Sequence, residues 1–187
     1  MQEGSIKFNC TWIKSAPLHF SFIEELNAWR GRLYTTKLIG ENKDGIGYGN
    51  ISTRFRGNQF IISGSATGKL PQLTNEHYTV VTDFNIDNNS LTAEGPVIAS
   101  SESLTHAIIY YLQPHIHAVM HVHHFNLWKK LLDTLPFTGS NAEYGTPAMA
   151  KEIERLFKES NLAVQKIFAM AGHEEGIVSF GKDLNEA

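Results

Sequence analysis

The chain has 187 residues, enough for one well-buried core and short for two, so a single domain over 1–187 is expected. Its 16 basic and 19 acidic residues give a net charge of -3, without the basic footprint that nucleic acid or an anionic membrane surface demands. The single cysteine, Cys10, excludes an intrachain disulfide and a thiolate metal cage, and neither a secretory leader pattern nor a membrane-length apolar run is present, so a reducing, cytoplasmic setting is expected.

Ser15-Ala-Pro17 opens a predicted helix whose apolar positions Leu18, Phe22, Leu26, Trp29 and Leu33 recur at helical spacing, ending near Ile39-Gly40. From Asp44 to Gly68 the pattern changes to short strands punctuated by glycine: 45–50, 51–55, 59–62 and 63–68. Loops of this kind let backbone amides approach an anion. Thr79–Thr82 and Ser90–Ala93, separated by the turn-rich Asn85–Asn89, read as a hairpin. Ser100-Ser-Glu-Ser103 starts a second helix with Leu104, Ala107, Ile108 and Tyr111 on its buried stripe, broken by Pro114. An apolar strand follows over 118–124, then a short helix over 126–132. The next helix has Thr146 as its cap, Pro147 in first position, and Met149, Ile153, Leu156 and Phe157 inside. Lys166–Met170 and Gly176–Phe180 read as strands flanking a turn. Strand and helix patterns alternate throughout, which defines an α/β fold with a mixed or largely antiparallel sheet.

Within Ala118-Val-Met-His-Val-His-His124, strand periodicity sends His121 and His123 to one face, and Val122 and His124 to the other. Two imidazoles so placed suit zinc or a similar divalent ion, which needs a third protein ligand. His173, in the turn Ala171-Gly-His-Glu-Glu-Gly176, is the candidate. Glu102 stands at a helix start, where unpaired amides and the helix dipole favour an anion. A carboxylate beside a cation is what proton transfer at a metal-bound substrate uses. On spacing alone, however, a His-x-His pair is more often two hydrogen-bonded histidines, and Glu102 more often an acid without chemistry. His115, His117 and His124 read as surface or locally bonded residues, and Trp12, Trp29 and Trp128 as core or interface.

Several ordered motifs together resemble the class II aldolase/adducin family. Gly49-Asn-Ile-Ser52 is similar to its Gly-Asn-x-Ser phosphate loop, and Phe60–Gly68 to its second anion-binding loop. Pro96-Val-Ile-Ala-Ser-Ser-Glu102 resembles the segment carrying the acid/base, and His121-Val-His123 the metal-binding pair. Tyr144-Gly-Thr-Pro147 resembles its aromatic helix start, and His173 with Gly181-Lys-Asp-Leu184 the last ligand and the glycine beyond it. The resemblance implies a three-layer α/β/α fold with a central mixed, largely antiparallel sheet. It implies a divalent metal, usually Zn2+, on His121, His123 and His173, with Glu102 as the catalytic acid/base. A substrate phosphate would lie among Asn50, Ser52, Ser100 and Ser101, with Ser65 and Thr67 beside them.

The expected activity is that of an aldolase-type lyase cleaving a small phosphorylated ketose by retro-aldol chemistry, through a metal-stabilised enediolate. A sugar-phosphate 4-epimerase is the second enzymatic alternative and a methylthioribulose-phosphate-type dehydratase the third; a non-catalytic adducin-like interaction domain belongs to another class. A homo-oligomer, in the aldolase branch a tetramer, is also implied, with Trp128, Phe137 and Tyr144 as apolar material for its contacts. The chain departs from the family pattern at Glu174-Glu175, where glycine usually follows the last ligand directly, and at Ser65-Ala66, where Ser-Gly is common. Asn141 stands where the aldolase branch places a tyrosine, and the chain stops at Ala187 without the tail that carries an aromatic acid/base in several members.

Overall fold

Period-two alternation along the strands produces two apolar faces, and helices cover both. The computed structural model describes residues 4–17, 19 and 23–187. Its strands are β1 (Asn9–Lys14), β2 (Gly40–Glu41), β3 (Gly47–Tyr48), β4 (Asn50–Arg56), β5 (Gln59–Ser63), β6 (Tyr78–Asn85), β7 (Ser90–Gly95), β8 (Ala118–His123), β9 (Ile167–Ala169) and β10 (Gly176–Gly181). The helices are α1 (Ile23–Thr35), α2 (Ser103–Leu112), α3 (Phe125–Leu131), α4 (Pro147–Glu159) and α5 (Leu162–Gln165). Eight strands form one sheet in the order β1-β7-β6-β5-β4-β8-β10-β9, while β2 and β3 form a separate ribbon. Among the described strands of the large sheet, only the β1–β7 pairing is parallel.

On one face Phe60, Ile62, Val81, Val119 and Val178 pack against Leu104, Ala107 and Ile108 of α2 and Met149, Ile153 and Leu156 of α4. On the other, Ile51, Ile61, Ala118 and Met120 receive Ile23 and Leu26 of α1, while Val122 and Ile177 receive Trp128 and Leu131 of α3. The result is an α/β fold with a largely antiparallel central sheet. Full burial of each large aliphatic side chain contributes about 1.5–3 kcal/mol, and both faces share that drive. No helix among the described residues is long and apolar enough to cross a membrane.

Local differences from the sequence reading have identifiable causes. The described part of the first helix runs over Ile23–Thr35, residues 15–17 are not helical, and Leu18 and Phe22 lie outside the described residues. It ends at Thr35 because Lys37 turns into the left-handed region (φ 60), where the amides of Leu38 and Ile39 fold back onto the Leu33 carbonyl. Strand β1 has no counterpart in the reading: it is an edge whose Trp12 and Ile13 are 39% and 49% exposed, so no burial alternation marks it. The predicted strand over 63–68 ends at Ser63 and continues as a turn with Ala66 at φ 59. Tyr111 is 60% exposed, and Tyr110 takes the interior place by packing on Phe60.

Candidate metal centre

Strand β8 lies between β4 and β10, so its ladder groups are paired on both sides and all six of its residues are buried. Register places His121 opposite Asn50 on β4 and Val178 on β10, and His123 opposite Gly176. His121 and His123 therefore emerge together on the face covered by α2 and α4. His173 reaches them from the turn between β9 and β10, closed by its amide on the Met170 carbonyl and by Gly176 N–H on its own carbonyl. Gly176 makes the meeting possible: a Cβ there would lie 2.6 Å from His173 Cδ2 and 3.3 Å from His121 Cε1.

The Nε2 atom of His123 is 3.0 Å from Nε2 of His121 and 3.0 Å from Nε2 of His173. All three rings are buried. Burial pushes His121 and His173 well below the ordinary histidine range, with neighbouring histidines adding to the effect on both, and holds His123 down to about 4. Neutral imidazoles carry one ring N–H each, so one Nε2 hydrogen on His123 cannot serve both contacts. Three converging, proton-poor nitrogens instead form the donor set that a zinc-type divalent ion takes. Tyr48 stacks on the His123 ring at 5.1 Å between centroids, and Tyr144 lies 4.5 Å from the His173 ring. Tyr144 is buried and only Phe137 of the expected contact aromatics is strongly exposed, at 48%.

Glu102 stands at the start of α2, 3% exposed, with Oε1 3.9 Å from His121 Nε2 and 3.7 Å from His173 Nε2. Its Oε2 accepts a hydrogen bond from Thr105 Oγ1 at 2.8 Å. Beside it runs a narrow cleft lined by Gly47, Tyr48, Gly49, Asn50, Ser100 and Ser101, together with Glu102 and His121. Gly49 needs its glycine: φ is 77, and a Cβ would sit 2.7 Å from Ile39 Cγ1. Asn50 Oδ1 is buried without a hydrogen-bond partner among the described residues, an acceptor or flipped amide that a ligand would satisfy.

The structure thus brings together His121, His123, His173, Glu102, Asn50, Ser100 and Ser101, and leaves three expected phosphate contacts outside. Ser52 lies one strand step deeper, fully buried, with Oγ 2.6 Å from His106 Nδ1 and 2.8 Å from the Tyr110 hydroxyl. Its hydroxyl is committed to the core. Thr67 donates to the Gly64 carbonyl at 2.7 Å, and the second loop offers the cleft Gly64, Ala66 and Gly68 rather than the side chains of Ser65 or Thr67. Arg30, 2% exposed, pins that loop from behind through Nη2 to the carbonyls of Thr67 (3.0 Å) and Gly68 (2.7 Å). Sequence reasoning missed Arg30, Tyr48 and Thr105; of these, Thr105 carried a local signal, three residues after an acid at a helix start. Glu174 is exposed, and neither it nor Glu175 joins the three-histidine cluster. His117 and His115 are exposed, and His124 caps α3 by accepting from Leu127 N–H.

The family described as Class II Aldolase and Adducin N-terminal domain matches residues 35–128, just over half of the chain. The protein belongs to the class II aldolase/adducin family. No curated protein matches it. Among solved structures it is similar to L-fuculose 1-phosphate aldolase, with TM-score 0.65 and 21% identity over 91% of this chain and 79% of that one. A sugar-phosphate aldolase from Thermotoga maritima gives TM-score 0.63 and 16% identity over 88% and 86%. YgbL from Klebsiella pneumoniae, described as an aldolase, epimerase or decarboxylase without a choice among them, gives 0.60 and 20% over 87% and 79%. At these identities the likeness is one of fold.

Proposed function

We propose that the protein is a metal-dependent aldolase-type lyase acting on a small phosphorylated ketose. The observation that carries this reading is the convergence of three neutral histidine nitrogens with the Glu102 carboxylate beside them and a narrow cleft adjoining. His121, His123 and His173 would hold a divalent ion, with Zn2+ the first choice for an all-imidazole set. When bound, such an ion supplies Lewis-acid stabilisation of an oxyanion developing on the substrate. Glu102 carries the proton exchanged at the carbon next to the substrate carbonyl, using Oε1, the oxygen that faces the histidines. Asn50, Ser100 and Ser101 bind the phosphate with the backbone of the glycine-lined cleft, in place of a lysine cluster. The narrow cleft and the rings of Tyr48 and Tyr144 keep bulk water from the proton in transit.

Metal analysis of the purified protein, followed by a panel of ketose phosphates and their unphosphorylated counterparts assayed for aldehyde release, tests the reading. Aldehyde release confined to phosphorylated substrates, falling about 10²–10⁴-fold in Glu102→Gln with metal content unchanged, is the expected outcome. Wild-type turnover by Glu102→Gln removes Glu102 as the acid/base. Equal rates with and without phosphate remove the anion role of the cleft. Conversion of one ketose phosphate to its epimer without aldehyde release makes the protein a 4-epimerase, which uses the same groups. The reading includes a homo-oligomer, in this branch a tetramer, that a monomer with full activity in sedimentation would contradict.

A further inference from the structure

Strand β1 is an outer edge of the large sheet, with β7, β6, β5 and β4 between it and the histidines of β8. The amide of Asn9 donates to the Asn89 carbonyl and that of Ser15 to the Gly95 carbonyl, so the odd-numbered residues of β1 turn their backbone groups toward β7. The N–H and C=O groups of Cys10, Trp12 and Lys14 therefore point away from the sheet, and no described residue bonds to them. Every residue of β1 except the half-buried Cys10 is exposed, so nothing else in the chain covers this edge. Trp12 and Ile13, 39% and 49% exposed, leave apolar surface on both sides of the strand. The devices that protect such an edge are missing: β1 has no proline, its register against β7 has no bulge, and its one charge, Lys14, stands at its end.

We propose that β1 is the pairing edge for a second copy of this chain: two β1 strands meet antiparallel about a two-fold axis at Trp12 and join two sheets into one. This goes beyond the reading of the metal centre and does not depend on it. A two-fold axis perpendicular to the sheet keeps each side chain on its own face, so only residues of like parity stand opposite one another. With Trp12 opposite Trp12 of the second copy, Cys10 falls opposite Lys14, and all the outward residues of β1 exchange both of their backbone bonds. On the other face Thr11 meets Ile13, two β-branched side chains at the closer spacing of about 4.5 Å between Cα atoms. Charge also suits the strand to itself, because the antiparallel arrangement holds the two Lys14 side chains at opposite ends, where a parallel one in register would bring them together. The Trp12 indole is already tied down, its Nε1 donating to the Gly95 carbonyl at 3.0 Å, so covering it costs little side-chain entropy.

A six-residue edge is smaller than a standard interface, so the association is expected to be reversible, with the mass doubling between about 1 µM and about 1 mM in sedimentation. Trp12→Lys sets like charges face to face on the axis and should hold the mass at its undoubled value over that range, with metal content unchanged. A crosslink tests the register without that variant. In a Cys10→Ser background, Thr11→Cys and Ile13→Cys should each stay unlinked when oxidised alone. Oxidised as a mixture, they should give a disulfide-linked pair, because position 11 of one copy faces position 13 of the other within disulfide reach. A link formed by Thr11→Cys alone overturns the register centred on Trp12. Mass doubling that persists in Trp12→Lys, with no link in the mixture, assigns the pairing to another surface and overturns the inference. A wild-type mass that never doubles, with no link in the mixture, also overturns it and leaves the edge to a strand of a different protein.

Discussion

Two buried polar clusters stand on the same face of the sheet, one strand step apart, and they are assembled by opposite rules. In the outer one, level with Asn50, His123 Nε2 lies 3.0 Å from Nε2 of both His121 and His173, and a single ring nitrogen, with one hydrogen or one lone pair, cannot complete both contacts. In the inner one, level with Val119, Ser52 Oγ bridges His106 Nδ1 at 2.6 Å and the Tyr110 hydroxyl at 2.8 Å. Phe60 covers that network, with its ring 5.1 Å from Tyr110 and 6.5 Å from His106. Burial is therefore no mark of a metal ligand. What separates the clusters is what stands between the rings: ring nitrogens gathered on one point suit a cation, whereas in the inner cluster the Ser52 hydroxyl bridges His106 Nδ1 and Tyr110, leaving only His106 Nε2 of that group without a hydrogen-bond partner among the described residues.

The sharpest way to break this comparison is to remove one histidine from each cluster. His123→Ala deletes the nitrogen that touches both others, and the protein is expected to lose stoichiometric metal and all aldehyde-release activity while still folding. Metal analysis beside the activity assay checks it. Retained metal with one ligand gone would show that the outer cluster is a packed network like the inner one.

Acid should weaken both clusters through one mechanism. Burial holds His123 to about 4 and His106 to about 3 in the folded, metal-free protein, against about 6.5 in the unfolded chain. Between those values the unfolded chain binds the proton and the folded one does not, so stability rises with pH across the window. It is complete above about 6.5 and is lost as pH falls toward 4 for His123 and toward 3 for His106. Each histidine contributes a slope of up to about 1.4 kcal/mol per pH unit. Urea unfolding at a series of pH values measures the slope, and His106→Asn, which keeps an acceptor near Nδ1, should reduce it by one proton. An unchanged slope would mean that His106 is not held neutral by the fold.

The same two clusters show what a linear reading can reach. His121 and His123 were legible because strand parity is local, and His173 because a histidine in a tight turn between two strands stands apart from any apolar pattern. Ser52 was misplaced for a related reason. Parity sets its face, shared with Asn50, but depth depends on which residue of α2 lies above it. That residue is Tyr110, whose inward turn against Phe60 is a tertiary fact with no trace in spacing. Arg30 was likewise invisible, since its partners are backbone carbonyls more than thirty residues away. Strand β1 escaped because its parallel pairing to β7 joins segments some eighty residues apart and leaves its side chains exposed.

The smallest effect, Ser52→Ala, tests the inner cluster alone. Removing the hydroxyl deprives both His106 Nδ1 and the Tyr110 hydroxyl of their partner in a region closed to water, which should cost about 1–3 kcal/mol of stability. Metal content and the KM for a phosphorylated substrate should not change, because Ser52 does not line the cleft. The opposite pattern is expected of Asn50→Ala, one strand step outward: a raised KM for phosphorylated substrates alone, with little loss of stability, since Oδ1 has no protein partner to lose among the described residues. If Ser52→Ala were to raise that KM as Asn50→Ala does, the hydroxyl would reach the substrate after all, and the boundary drawn between the two clusters would fall between Ser52 and His106 instead of between Asn50 and Ser52.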